Sequence, residues 1–250
     1  MNTNEAIQVL VVGASGATGR LLVEELLARG CRVKAIVRSP ECFPESMTGN
    51  ETLSLIHASV LDLSDADMAV HASDCVAVVS CLGHTLSFKG IYGQPRRLVT
   101  EATSRLCNAI KSNRSKMPTK FVLMNTTGNR NRDLDEPISF AQSCVIGLLR
   151  LLLPPHVDNE KAADYLRTEI GQKDNAVEWV AIRPDALINE DGVSEYELHC
   201  SPIRSAIFDS GKTSRINVAH FMADLITKEV VWDKWKGQMP VIYNKDHALA

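Results

Sequence analysis

The passage VLVVGASGATGRLLVEELLARG, residues 9 to 30, sets Gly13, Gly16 and Gly19 between an apolar run and a stretch of helical period. Residues 7 to 12 form the apolar run expected of a strand buried on both faces. Residues 17 to 29 place Leu21, Leu22, Leu26 and Leu27 on one face and charges elsewhere, and Gly30 ends that helix. Side chains are thus missing where the chain turns from strand to helix. Such a turn lets a diphosphate reach main-chain N–H groups at a helix N-terminus, whose dipole favours an anion. Gly13 allows the tight turn, Gly16 the approach of phosphate, and Gly19 close packing of helix on sheet. Ser15 and Thr18 add hydroxyl donors, and Ala17 belongs to the same first turn.

The rest of the chain repeats that rhythm. Strands are expected at residues 32 to 37, 53 to 57, 75 to 80, 121 to 124 and 177 to 182, and a last one at 240 to 244. Helices fill most gaps, most clearly at 97 to 112, 159 to 172 and 218 to 228. This alternation predicts an α/β fold, a doubly wound parallel sheet covered on both sides. Residues 1 to 250 read as one domain, with 185 to 215 as a small, irregular, turn-rich lobe on the substrate side.

Composition narrows the function. A net charge of -3 gives no reason to expect nucleic acid or an anionic membrane as partner. Seven cysteines, an odd number with no CxxC spacing, disfavour a disulfide framework and a thiolate metal site. Buried, reduced cysteines and a cytoplasmic location are expected. The polar residues 1 to 5 and the short apolar run after them do not make a signal sequence. No apolar run reaches the roughly 18 residues of a membrane helix. The nearest, residues 144 to 155, is interrupted by Arg150 and Pro154. Histidine spacings offer no metal site.

The second strand ends in AIVRSP, so Arg38 stands about 20 residues past the glycines, where an NAD site carries a carboxylate. A guanidinium binds a 2′-phosphate bidentately and stacks on adenine, and Ser39 adds a donor. The expected cofactor is NADP(H).

Together these residues resemble the short-chain dehydrogenase/reductase superfamily, in the atypical NAD(P)-binding branch that includes NmrA-like proteins and flavin/biliverdin reductases. The likeness covers about residues 5 to 230. GASGATG and VRSP are similar to motifs of that branch. The resemblance implies that in VLDLSD, residues 60 to 65, Asp62 contacts the adenine amino group and Leu63 packs on the ring. It implies that Cys81, Leu82 and Gly83 of VVSCLG line the adenine ribose. LMNTTG, residues 123 to 128, matches the fifth-strand end, where relatives carry a serine that orients a substrate carbonyl; here Thr126 and Thr127 stand there. AIRPDAL, residues 181 to 187, is similar to an RPG-type segment, which puts Pro184 beside the nicotinamide. RINVAHFMADLI, residues 215 to 226, resembles the late helix, with Asn217 where Asp is usual.

The superfamily's Tyr-x-x-x-Lys pair is absent. Tyr92, Tyr165, Tyr196 and Tyr243 are followed four residues on by Arg96, Glu169, Cys200 and His247. The segment PPHVDNEKAADYL aligns Lys161 with the family lysine, a ribose ligand, and leaves Val157 at the tyrosine position. Substitutes for the missing acid are His156, beside the vacant position; Tyr165, one turn beyond Lys161; Thr126 or Thr127; and water. Two functions follow. One is an NADP(H)-dependent reductase of a flat acceptor such as a flavin, quinone or tetrapyrrole, for which the lost tyrosine matters less. The other is a non-catalytic NmrA-like sensor that acts through a partner protein. Residues 139 to 155, very apolar for a surface helix, either cover the sheet or pair two copies into a homodimer.

Overall fold

The computed structural model describes residues 6–43, 45–84 and 87–245, without the side chains of residues 42, 45, 46 and 89. The expectations for residues 1 to 5 and for the Cys42 side chain lie outside the described residues. In chain order the elements are β1 (Gln8–Val12), α1 (Ala17–Ala28), β2 (Arg32–Val37), α2 (Glu45–Thr48), β3 (Leu53–His57), α3 (Asp65–Ala72) and β4 (Ala77–Ser80). Then come α4 (Phe88–Tyr92), α5 (Leu98–Ser112), β5 (Thr119–Met124), α6 (Phe140–Leu152), α7 (Pro154–Tyr165) and β6 (Val177–Pro184). The last part holds β7 (Ala186–Ile188), β8 (Tyr196–His199), β9 (Lys212–Ser214), α8 (Arg215–Thr227), α9 (Glu229–Trp235) and β10 (Val241–Asn244).

The main sheet has eight strands in the order β3-β2-β1-β4-β5-β6-β10-β8. All neighbours are parallel except β10 and β8, which run antiparallel. The strand order reverses between β1 and β4, and a ligand crevice opens at such a switch point, outside the strand C-termini. Alternation along β1 explains the two layers of core. Val9 and Val11 pack with α1, α8 and α9 through Leu22, Leu26, Phe221 and Trp232. Leu10 and Val12 face the other way, against α3, α5 and α7 through Met68, Leu106 and Ala162. This is the Rossmann-like α/β architecture that the strand-helix rhythm predicts.

Residues 185 to 215 are more regular than expected. β7 and β9 pair in a small parallel sheet of their own, and β8 extends the main sheet. Asn217 holds this region together. Its side chain donates to Ser194 Oγ (2.9 Å) and Asn244 Oδ1 (2.8 Å) and accepts from Ser194 N (2.9 Å). The long helix expected at 159 to 172 instead starts at Pro154, which suits a first helical turn. Of α6 only Ile146 is fully buried, while Phe140, Leu148, Leu151 and Leu152 are exposed. The helix therefore does not cover the sheet. No single helix among the described residues is long and apolar enough to cross a membrane; α6 and the helix after it form a bent apolar pair, at 104°. The six described cysteines are free, and Cys144 and Cys200 are exposed, against the expectation that all are buried.

Candidate functional site

The glycine turn sits at the switch point. Gly13 adopts φ +74, a conformation that disfavours any side chain. A Cβ there would lie 2.5 Å from the Cys81 carbonyl carbon and 2.7 Å from Leu82 N. The first turn thus rests directly on the 81–82 peptide that follows β4, and Cys81 N donates to Val12 O (2.9 Å). A Cβ on Gly19 would strike the Gly13 carbonyl, so Gly19 lets α1 close on its own leading turn. Gly16 differs. Its Cβ would meet only Gly13 O, at 3.2 Å, and the residue is exposed. Inside the chain a side chain at 16 would crowd only that carbonyl.

The N-terminus of α1 is open. Gly16 is its N-cap and supplies no side-chain hydrogen bond, and the first turn has no acidic residue. By contrast α3, α6 and α8 are capped by Ser64, Ser139 and Ser214. The first N–H groups of a helix have no partner within it, so this end presents donors and a positive dipole. Ser15, Gly16 and Ala17 are exposed around it, whereas Thr18 is buried. A cradle that a Cβ would fill, next to an uncapped helix end, fits a dinucleotide diphosphate.

Arg38 closes β2 and is exposed; its carbonyl is held by His57 Nε2 at 2.8 Å. Among the described residues no hydrogen-bond or ion-pair partner engages its guanidinium. Ser39 is half-buried beside it. Asp62 is exposed and Leu63 half-buried in the segment after β3. Arg105 of α5 grips that segment. It donates to the carbonyls of Val60 (3.2 Å), Leu61 (2.7 Å) and Leu63, and to Asp65 Oδ1 at 3.0 Å. Cys81 and Leu82 are half-buried and Gly83 is exposed. Burial pushes the Cys81 thiol up to about 12, so it stays an inert thiol.

Beyond β5 and β6 lies a cavity of about 310 Å³. Thr126, Thr127, His156 and Asp185 line it with Ile146 and Ile207. Three of the sequence-derived catalytic candidates therefore meet on one wall. A Cβ on Gly128 would lie 3.4 Å from His156 Cε1, which shows how closely the imidazole approaches the β5 turn. His156 Nε2 is turned inward, 3.6 Å from Glu160 Oε1. Arg150 holds Glu160 from the other side, with Nε 2.9 Å from Oε2 and Nη2 2.8 Å from Oε1. Burial opposes ionisation of Glu160, yet the neighbouring His156 and Arg150 bring its carboxyl down to about 2.

Other candidates lie apart from this wall. Lys161 is exposed on α7 and does not line the cavity. Tyr165 packs against the core, and burial pushes its hydroxyl up to about 12. It lies one turn from Lys161, half-buried against the core and away from the cavity lining. Pro184 is buried at the end of β6, where its carbonyl accepts from Thr127 N (3.1 Å).

Three carboxylates escaped the sequence reading: Glu160, described above, and Asp158 and Asp185. Asp158 of α7 accepts from Val99 N (2.8 Å) and Thr100 N (3.0 Å), so it caps α5 from a distant helix. Its Oδ2 also lies 2.8 Å from His84 Nε2. Asp185 enters the cavity directly after Pro184. Both are single carboxylates whose partners are remote in sequence, and no spacing signals them. Among the described residues no cluster of three His, Cys, Asp or Glu can hold a metal ion.

Sheet order, glycine turn and crevice define a dinucleotide-binding protein of the Rossmann-like class. The chain belongs to the NAD(P)H-binding family, whose model matches residues 13–229. An uncharacterized chloroplastic protein of Arabidopsis thaliana is 36% identical over 87 residues, 35% of this chain and 31% of that protein. The match thus spans about a third of that relative's length. Among solved structures, a candidate NAD-dependent epimerase/dehydratase from Bacillus halodurans superposes with TM-score 0.70 at 20% identity, over 96% of this chain and 95% of that one. A candidate NADH-flavin reductase from Streptococcus pneumoniae gives 0.64 at 18%, over 96% and 100%. A short-chain dehydrogenase/reductase from Veillonella parvula, in complex with NADP, gives 0.69 at 14%, over 96% and 95%. At these identities the structural likeness speaks for the fold.

Proposed function

We propose that the protein is an NADP(H)-dependent reductase of a small, planar, conjugated acceptor such as a flavin, quinone or tetrapyrrole. The observation that carries this reading is the open end of α1, seated by Gly13 on the 81–82 peptide, with the Arg38 guanidinium at the end of the next strand. The α1 turn holds the diphosphate. Arg38 and Ser39 hold the 2′-phosphate, Asp62 and Leu63 the adenine, and Cys81, Leu82 and Gly83 the adjacent ribose. Pro184 and Lys161 serve the nicotinamide half. When bound, the reduced cofactor supplies a hydride. Thr126 and Thr127 orient the acceptor's oxygen, and His156, braced by Glu160, sits against the same wall. The apolar lining of Ile146, Leu149 and Ile207 suits a flat ring system and excludes water. The exposed apolar face of α6 supports pairing into a homodimer.

A non-catalytic NmrA-like sensor is the second reading, favoured by Val157 at the tyrosine position. One experiment separates them. NADPH is titrated into the protein and into R38A while fluorescence and Tm are followed, and NADPH oxidation is then measured with FMN, menadione and biliverdin. The reductase reading expects R38A to weaken NADPH about tenfold, the loss of one charge-assisted contact, with little change for NADH. It also expects turnover of at least one acceptor. Binding without turnover of any acceptor favours the sensor; no effect of NADPH on either signal sinks both.

A further inference from the structure

The Asp185 carboxyl is the acidic group of the cavity, and its surroundings are unusual for a surface carboxylate. It lies on the lining wall with 9% of the residue exposed. Gly211 N donates to its Oδ2 at 2.9 Å and the Thr127 hydroxyl faces the same group, while the Ala186 N–H is taken by Gly211 O at 3.1 Å. These donors fix the carboxyl at the C-terminal end of β6, next to the threonines of β5. The charged and titratable groups around it are few. α7 contributes His156 with Glu160 behind it, and the segment after β8 contributes Arg204, paired with Asp209 at 2.8 Å. β10 contributes Tyr243. None of the described cations forms a salt bridge with Asp185, although Arg204, on the wall of the adjoining pocket, attracts its charge. Burial outweighs the hydrogen bonds and that attraction and holds the carboxyl above the usual carboxylate range.

We propose that Asp185 is the proton donor of the cavity, taking the part for which Val157 leaves no tyrosine. The proposal rests on the reductase reading above. The acceptor gains a hydride, with its electron pair, from the dihydronicotinamide, which is oxidised. The negative charge left on the acceptor's oxygen then takes the Asp185 proton. The carboxyl O–H bond breaks as the new O–H bond forms, and water returns a proton to the carboxylate. Thr127, whose hydroxyl faces the carboxyl, positions it, which leaves Thr126 to orient the acceptor's oxygen.

The test uses the full chain, D185N and H156Q. NADPH binding is measured first for all three. Turnover of menadione and of FMN is then followed against pH. Infrared spectra of wild-type protein labelled with 13C-aspartate follow the protonated aspartate signal as pH rises, a measurement that stands if D185N does not fold. Expected are an aspartate that keeps its proton to higher pH than a free side chain does, and a wild-type kcat that falls on the alkaline side over the range in which that signal is lost. In D185N kcat falls at least about a hundredfold, the lower end of the range for loss of a general acid, the alkaline fall disappears, and the NADPH Kd stays within about twofold. H156Q slows turnover and keeps the alkaline fall. Active wild type with an unaffected D185N, or no aspartate that keeps its proton beyond the range of a free side chain, overturns the assignment of Asp185 alone. A wild type that binds NADPH and reduces neither acceptor overturns the reductase reading and this assignment with it.

Discussion

At the scale of single residues, Gly13 is fixed from two directions. Its positive φ disfavours a side chain, and the peptide after β4 leaves no room for one. G13A is expected to cost about 2 kcal/mol or more, from backbone strain and the displaced turn, a fall in Tm of roughly 4–8 °C for a chain of this size. NADPH binding should be lost with it, because the 81–82 peptide and the α1 end would separate. Calorimetry and a titration check both; a variant that keeps Tm and Kd would show the turn is more pliable than its contacts indicate. Gly13, Arg38 and the two threonines were legible because each sits at a strand end, a place that periodicity locates. His156 was legible only through its alignment beside Lys161. Asp158, Glu160 and Asp185 were not, since each draws its meaning from partners brought near by the fold. Asp158 caps a helix about sixty residues upstream, and no local pattern encodes that.

At the scale of elements, strands buried on both faces announced themselves, and so did β3, whose LSLIH alternates although none of its residues is buried, while β8 did not. β1, β4 and β6 are nearly continuous apolar runs. β8, with the sequence YELH, has every residue half-buried and lies on the sheet edge, so its hydropathy resembles that of a turn. α6 shows the opposite ambiguity. Its apolar face was visible, but whether it met sheet or solvent was not. The structure turns Ile146 and Leu149 to the cavity and leaves Leu148 and Leu151 outside. Exposed leucines at that spacing form a stripe suited to a second copy of the same helix. The double variant L148E/L151E is expected to sediment as a monomer with Tm preserved, whereas the unaltered chain sediments as a dimer. A monomeric wild type would remove the pairing from the proposed function.

At the scale of the whole molecule, Arg183 is the tie between lobes and sheet. It is fully buried, and each of its five N–H donors is used. They reach Met239 O (2.7 Å), Asn129 O (2.9 Å), Cys200 O (3.1 Å) and both Glu136 oxygens (3.1 and 2.7 Å). Segments from four parts of the chain thus converge on one guanidinium. E136Q leaves that charge without a counter-ion and is expected to cost about 3–5 kcal/mol. The double change R183M/E136L removes both charges and should cost less than E136Q alone, which urea unfolding of the two variants measures. A smaller loss in E136Q than in the double variant would mean that the carbonyls alone satisfy the arginine.

The position of β10 bears on the order in which this protein becomes competent. That strand is wedged between β6 and β8, so β8 joins the sheet only through a strand that comes after it in the chain. The glycine crevice is framed by earlier strands, yet the layer of α1 beneath it packs on α8 and α9, which are made almost as late. During synthesis, then, neither the nucleotide berth nor the walls around a second molecule have their full backing until α8, α9 and β10 have been made.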